Sequence, residues 1–158
     1  MRVILTTDHL RAIEAHGEAA YPNEGAGLML GRASGEAVAV GALLPLGNTR
    51  AVEEQHNRYE LSPHDFLQAE LEAERRGLSV VGVFHSHPDH PARPSEFDRE
   101  HALPNFSYLI TTVAEGKAQA TRAWRLRQNR TVFDEDVLEI ALALVGDDGS
   151  HTQEHNRR

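Results

Sequence analysis

Leu78 to Asp98 reads LSVVGVFHSHPDHPARPSEFD, and its first half decides the fold. "LSVVGVF" is an apolar run of strand length without polar alternation, the pattern of a strand covered on both faces in the middle of a sheet. It runs straight into His85 and His87. Side chains at i and i+2 of a strand point to one face, so the strand end presents two imidazoles side by side. After a Pro-rich loop, "SEFDREHAL" reads as a short helix stopped by Pro104. On a helix, i and i+3 share a face, which projects Ser95 and Asp98 together. The loop between His87 and Ser95 is long enough to fold that helix back over the strand end.

Outward from this stretch, strands and helices alternate. "RVILTT" reads as a strand, followed by a helix opened by Thr7 and Asp8, with Leu10 and Ile13 at helical spacing before Gly17. "GLMLGR" and "AVAVGALLP" are short apolar strands joined by the turn-like "ASGE", a hairpin. Ser62 and Pro63 suit the N-cap and first turn of a second helix, with an apolar face of Phe66, Leu67 and Leu71 and a stop at Gly77. "SYLITTV" and "QATRAWRLR" form a second hairpin around "AEGKA". "DVLEIALALV" fits either the helical or the strand period and stays open. The reading is α/β: one domain over residues 1–145, a mixed curved β-sheet packed by helices, and a polar, disordered tail over 146–158.

Composition bounds the chemistry. The chain has 158 residues, 40% of them hydrophobic, with no composition break before the last dozen positions, which suits one domain with one core. No apolar run approaches the roughly 20 residues of a membrane-spanning helix, and "MRVILTTDHL" lacks a secretory h-region, so a cytoplasmic location is expected and a membrane partner is not. The net charge of -8 opposes binding to nucleic acid. There are 0 cysteines, so any metal must be held by His, Asp or Glu.

Two imidazoles and one carboxylate are three ligands, and with a fourth position open to water they make the arrangement of a catalytic rather than a structural zinc. Imidazole with carboxylate favours zinc, although iron accepts the same set. Water on such a zinc has its pKa lowered to about 7, which points to hydrolysis. Taken singly, His85 and His87 suit a strand turning into a loop, Ser95 an ordinary N-cap and Asp98 a first-turn acid. Their joint spacing is what indicates a metal site.

"HSHPDHPARPSEFD" resembles the His-x-His-x7-Ser-x-x-Asp signature of the JAMM metallopeptidases, also called the MPN-plus or Mov34 family, and "YPNEGAGLMLGR" supplies the upstream glutamate, Glu24, ahead of a Gly-Leu-Met-Leu-Gly strand. The similarity runs from Tyr21 to about Leu126, in the short prokaryotic form of the family. It implies the JAMM/MPN, cytidine-deaminase-like fold, with His85, His87 and Asp98 as ligands of Zn2+. Glu24 is implied as general base and Ser95 as hydrogen-bond donor to the developing oxyanion. Ser86, between the ligands, is expected to face away from the metal. Ala26 stands where many relatives carry cysteine, a position without a catalytic part. His90 and His101 are spare imidazoles, read as loop and surface residues.

The resemblance also implies a peptidase cleaving peptide or isopeptide bonds after the C-terminal Gly-Gly of ubiquitin-like or sulfur-carrier proteins. A Gly-Gly tail suits a narrow groove and pairing with a sheet edge, to which "NTRAVEEQHNRYELS" is a candidate contributor. Two other readings stay open: a non-catalytic module that binds a ubiquitin-like partner or scaffolds a complex, and a zinc hydrolase acting on another amide, such as a cell-wall peptide. The complete ligand set and Glu24 argue against the first. The missing export signal weighs against the second.

Overall fold

The computed structural model describes residues 1–47, 59 and 61–142. Seven strands and three helices follow in the order β1 (Arg2–Thr6), α1 (Thr7–Ala20), β2 (Ala26–Ser34), β3 (Ala37–Leu46), α2 (Pro63–Arg75), β4 (Ser79–Pro88), α3 (Glu96–His101), β5 (Ser107–Ala114), β6 (Lys117–Leu126) and β7 (Phe133–Ala141).

The strand inferred from "LSVVGVF" is β4, and it lies between β2, antiparallel, and β5, parallel. Six of its apolar or small residues and both histidines are therefore walled in, and every position from Val81 to Pro88 is buried. The two predicted hairpins are β2–β3 and β5–β6. At the second turn Glu115 and Gly116 both have positive φ, 51° and 84°, the backbone of a tight two-residue hairpin turn that matches strand twist.

The sheet is mixed, as expected, but it does not stay open. Its order, β1-β3-β2-β4-β5-β6-β7, closes into a barrel because β7 pairs antiparallel with β6 and parallel with β1. The ambiguous "DVLEIALALV" segment thus supplies part of the closing strand. Every described strand has two neighbours, but β1 covers only Ala37–Ala39 of β3, so among the described residues Ala42–Leu46 are paired with β2 alone and keep an edge of the kind expected to receive a Gly-Gly tail.

The barrel interior and the helices divide the core in two. One apolar cluster joins Val3, Leu5, Met29, Phe84 and Leu109 to Ile13 of α1. The other joins Leu28, Val83, Ile110 and Leu126 to Ala69 and Ala73 of α2. The second helix begins as predicted, with a capping box in which Ser62 Oγ accepts from the Asp65 N–H and Asp65 Oδ2 accepts from the Ser62 N–H. Its buried face differs from the expected one: Leu67 and Leu71 are 52% and 49% exposed, while Phe66 packs inward with Ala69 and Ala73. Small side chains let the helix lie close to the sheet, which the hydrophobic ranking alone does not reveal.

The first helix also departs from its predicted limit by continuing through Gly17 to Ala20. A Cβ on Gly17 would lie 3.0 Å from Ser86 Cβ and 3.1 Å from Val113, so the glycine is the contact that seats α1 on β4 and β5 rather than a stop signal. The proposed tail, 146–158, lies outside the described residues. No helix among the described residues is long and apolar enough to cross a membrane.

Candidate metal centre

Strand geometry delivers what the spacing of the histidines requires. His85 and His87 sit at the C-terminal end of β4, 1% and 6% exposed, with ring centroids 5.0 Å apart. His87 Nδ1 lies 2.9 Å from the Pro91 carbonyl oxygen, an acceptor only, so Nδ1 carries the proton and Nε2 presents its lone pair to the site. Burial lowers the His85 pKa to about 4, which keeps that ring neutral at physiological pH.

The returning helix α3 brings Asp98 over both rings. Its Oδ1 lies 3.4 Å from His85 Nε2 and its Oδ2 3.2 Å from His87 Nε2. Burial opposes ionisation of this carboxyl, but the two imidazoles and the Ser95 N–H, which donates to Oδ2 at 2.8 Å, outweigh it and hold Asp98 well below the usual carboxylate range. Ser95 is the N-cap of α3, its Oγ accepting from the Asp98 N–H at 3.1 Å. That bond uses an oxygen lone pair and leaves the hydroxyl proton to donate elsewhere.

Glu24 arrives from the segment before β2. It is 5% exposed, its Oε1 lies 3.7 Å from His87 Nε2, and donor atoms of Glu24, His85 and His87 all fall within 4.8 Å of one another. Two bonds to Ser86 hold this segment, one to its side chain and one from its backbone: the Gly25 N–H donates to Ser86 Oγ at 2.8 Å and the Ser86 N–H donates to the Gly25 carbonyl at 2.9 Å. Ser86 therefore faces away from the two rings, as expected, and toward Gly25. A second tie runs through Tyr21, whose hydroxyl donates to Asp89 Oδ2 at 2.7 Å, while Asp89 Oδ1 accepts from the Glu115 N–H at 2.9 Å.

All four acid and imidazole residues predicted for the site thus meet, with Ser95 beside them. A metal fits this donor set. His85 Nε2 is buried with no hydrogen-bond partner among the described residues, and His87 Nε2 turns a lone pair toward a carboxylate oxygen that carries no proton. A cation placed among lone pairs and carboxylates satisfies both nitrogens and neutralises the buried negative charge.

Sequence reasoning did not single out Tyr59. Its buried ring stacks on His85 with centroids 4.4 Å apart and meets Phe97 of α3 edge-on at 6.4 Å. Burial, with the Asp98 charge adding to it, raises its hydroxyl pKa well above the ordinary value. The only signal in sequence is an aromatic residue inside a polar stretch; the remainder of "NTRAVEEQHNRYE" lies outside the described residues. His101 stacks on Phe97 at 4.0 Å on the surface, as read. His90 lines an open cavity of ≈ 390 Å³ together with Glu24, His87, Pro91, Arg93 and Ser95.

Comparison with known proteins agrees with this geometry. A family model described as prokaryotic homologues of the JAB domain matches residues 6–127. The chain is 36% identical over 101 residues to a probable TtuB-protein conjugate cleaving protease of Thermus thermophilus, covering 64% of each chain. It is 37% identical over 90 residues to a desampylase of Haloferax volcanii, covering 56% of this chain and 62% of that one. The chain thus spans a little under two thirds of the length of these curated relatives. Among solved structures, a solution structure of a Desulfitobacterium hafniense protein superposes with a TM-score of 0.78 at 28% identity, over 92% of this chain and 96% of that one.

Proposed function

This chain belongs to the prokaryotic homologues of the JAB domain, and from that membership we propose that it is a zinc-dependent metallopeptidase cleaving peptide or isopeptide bonds after the C-terminal Gly-Gly of ubiquitin-like or sulfur-carrier proteins. The observation that carries the reading is the convergence of His85 Nε2, His87 Nε2 and the Asp98 carboxylate beside Glu24, at the base of an open cavity. The relatives named for cleaving a TtuB conjugate and as a desampylase support the substrate class.

His85, His87 and Asp98 would hold the metal. Zinc in that position supplies a Lewis acid that polarises a carbonyl and makes hydroxide available near neutral pH. Glu24 Oε1 takes a proton from the attacking water and returns it to the leaving nitrogen. Ser95 donates its hydroxyl proton in a hydrogen bond to the carbonyl oxygen as negative charge develops there, while its oxygen stays fixed by the Asp98 N–H. His87 Nδ1–H goes on donating to the Pro91 carbonyl and keeps the ring from turning. A Gly-Gly tail suits the cavity because it carries no side chains to collide with the buried rings.

Intact-mass analysis of a ubiquitin-like sulfur carrier extended beyond its Gly-Gly, incubated with the zinc-loaded protein, tests the reading. Cleavage after Gly-Gly that disappears with chelator and with Glu24→Ala supports it. An intact carrier in the presence of one bound zinc per chain discards this substrate class, and the absence of bound zinc discards the metallopeptidase.

A further inference from the structure

The His87-to-Ser95 loop is a rigid mount with one unpaired cation at its tip. Three adjacent bonds fix its backbone: His87 Nδ1–H to the Pro91 carbonyl at 2.9 Å, Trp124 Nε1–H to the Ala92 carbonyl at 2.9 Å, and the Arg93 N–H back to the Pro91 carbonyl at 2.8 Å. Ala92 is 4% exposed and anchors the loop in the core, and Pro94 restricts the backbone on the other side. Arg93 itself is exposed and lines the cavity shared by Glu24, His87 and Ser95.

Most of the other described arginines behave differently; Arg11, exposed on α1 and remote in sequence from the site, is the exception. Arg2, Arg75, Arg76, Arg99, Arg122, Arg125 and Arg127 each pair with a carboxylate, and Arg32 and Arg130 donate to backbone carbonyls. The Arg93 guanidinium has no hydrogen-bond or ion-pair partner among the described residues. This is notable in a chain with 24 acidic and 16 basic residues, where carboxylates to pair with are plentiful. A planar guanidinium carried beside the site on a fixed backbone, with its donors unused, is available for bidentate contact with a carboxylate.

We propose that Arg93 is a specificity residue that binds a carboxylate group of the substrate close to the scissile amide. The inference rests on the peptidase reading above and adds the chemistry the cavity selects. The carboxylate comes either from the free α-carboxylate of a one-residue leaving group or from an acidic side chain just before the Gly-Gly. The chemistry is the same in both.

The test is calorimetric titration of the zinc-loaded Glu24→Ala protein with three forms of one ubiquitin-like sulfur carrier, ending in Gly-Gly-Ala with a free carboxylate, Gly-Gly-Ala carboxamide, and Asp-Gly-Gly-Ala carboxamide. One of the two forms carrying the added carboxylate should bind roughly three- to ten-fold more tightly than the simple carboxamide, the range between an exposed and a partly desolvated charge pair. Adding Arg93→Gln should erase that difference, and Arg93→Lys should retain part of it. Which form is favoured identifies the source of the carboxylate. Equal binding of all three, or a preference that survives Arg93→Gln, overturns the proposal while leaving the peptidase reading intact. Failure of every form to bind overturns the proposal and leaves the peptidase reading to the cleavage assay. Cleavage of the three by the protein with Glu24 restored separates the two cases, because the peptidase reading fails only if none is cut.

Discussion

Ser86 Oγ accepts the Gly25 N–H at 2.8 Å, and the Ser86 N–H donates to the Gly25 carbonyl at 2.9 Å, so the residue between the two histidines also clamps the residue after Glu24. The clamp sets the distance between a strand end that carries imidazoles and a loop that carries a carboxylate. Gly17 leaves room for it by bringing α1 against Ser86 without a side chain.

Replacing Ser86 with Ala removes the acceptor of a buried N–H. The expected cost is about 1–3 kcal/mol of unfolding free energy, read by urea denaturation. Backbone exchange at Gly25 should accelerate in the same variant. With Glu24 as the proposed base, its release from position while His85, His87 and Asp98 stay should lower kcat about ten- to a hundred-fold with little change in KM. Unchanged Gly25 exchange together with unchanged kcat would remove Ser86 from the positioning of Glu24.

His85 gives the metal-free protein a pH dependence of defined sign. Its folded pKa is lowered from 6.5 to about 4, because burial disfavours the imidazolium. Between those values the unfolded chain binds the proton and the folded chain does not, so its contribution is fully present above pH 6.5 and is lost as pH falls toward 4. The loss is roughly 3 kcal/mol for this group. Urea midpoints of the chelated protein across that window should fall with pH, and His85→Gln should flatten the fall.

The ring of Tyr59 stacks on that of His85, and the expected role is to brace it. Tyr59→Phe should keep the 4.4 Å stack and leave zinc affinity near that of the parent. Tyr59→Ala opens a buried space and should cost about 3 kcal/mol, with zinc affinity falling about ten-fold as the imidazole gains freedom. Competition with a chromogenic chelator measures the affinity. Equal zinc binding by Tyr59→Ala and the parent would show that the stack has no part in holding the ligand.

Local signals in the sequence were enough for some elements and silent on others. The strand β4 was legible because an apolar run needs no partner to be recognised, and α2 because Ser62, Pro63 and Gly77 mark its ends within the chain itself. Its buried face was not: Ala69 and Ala73 are chosen by the closeness of the sheet, while Leu67 and Leu71 remain exposed. Barrel closure was equally hidden. It depends on Arg2–Thr6 pairing with Val137–Ala141, a contact between the two ends of the described fold that no local pattern encodes. At the site, His85, His87, Ser95 and Asp98 could be read because one strand and one helix present them at fixed periods. Glu24 was found by resemblance to a family, and Tyr59 only by its place against His85.

Ser95 combines two duties that one substitution cannot separate but three can. Its oxygen caps α3 by accepting the Asp98 N–H, while its own N–H donates to the carboxylate of Asp98, the proposed metal ligand. Ser95→Ala should therefore lose about 1 kcal/mol of stability through the missing cap and also lower kcat. Ser95→Asp restores a strong N-cap acceptor, but at neutral pH its side chain has no proton to donate. Stability should return while kcat stays about a hundred-fold or more below the parent, the cost of one oxyanion donor. Ser95→Thr keeps both acceptor and donor and should recover most of each. If Ser95→Asp regained activity along with stability, the hydroxyl would be a cap alone, and the oxyanion would have to be met by another group lining the cavity.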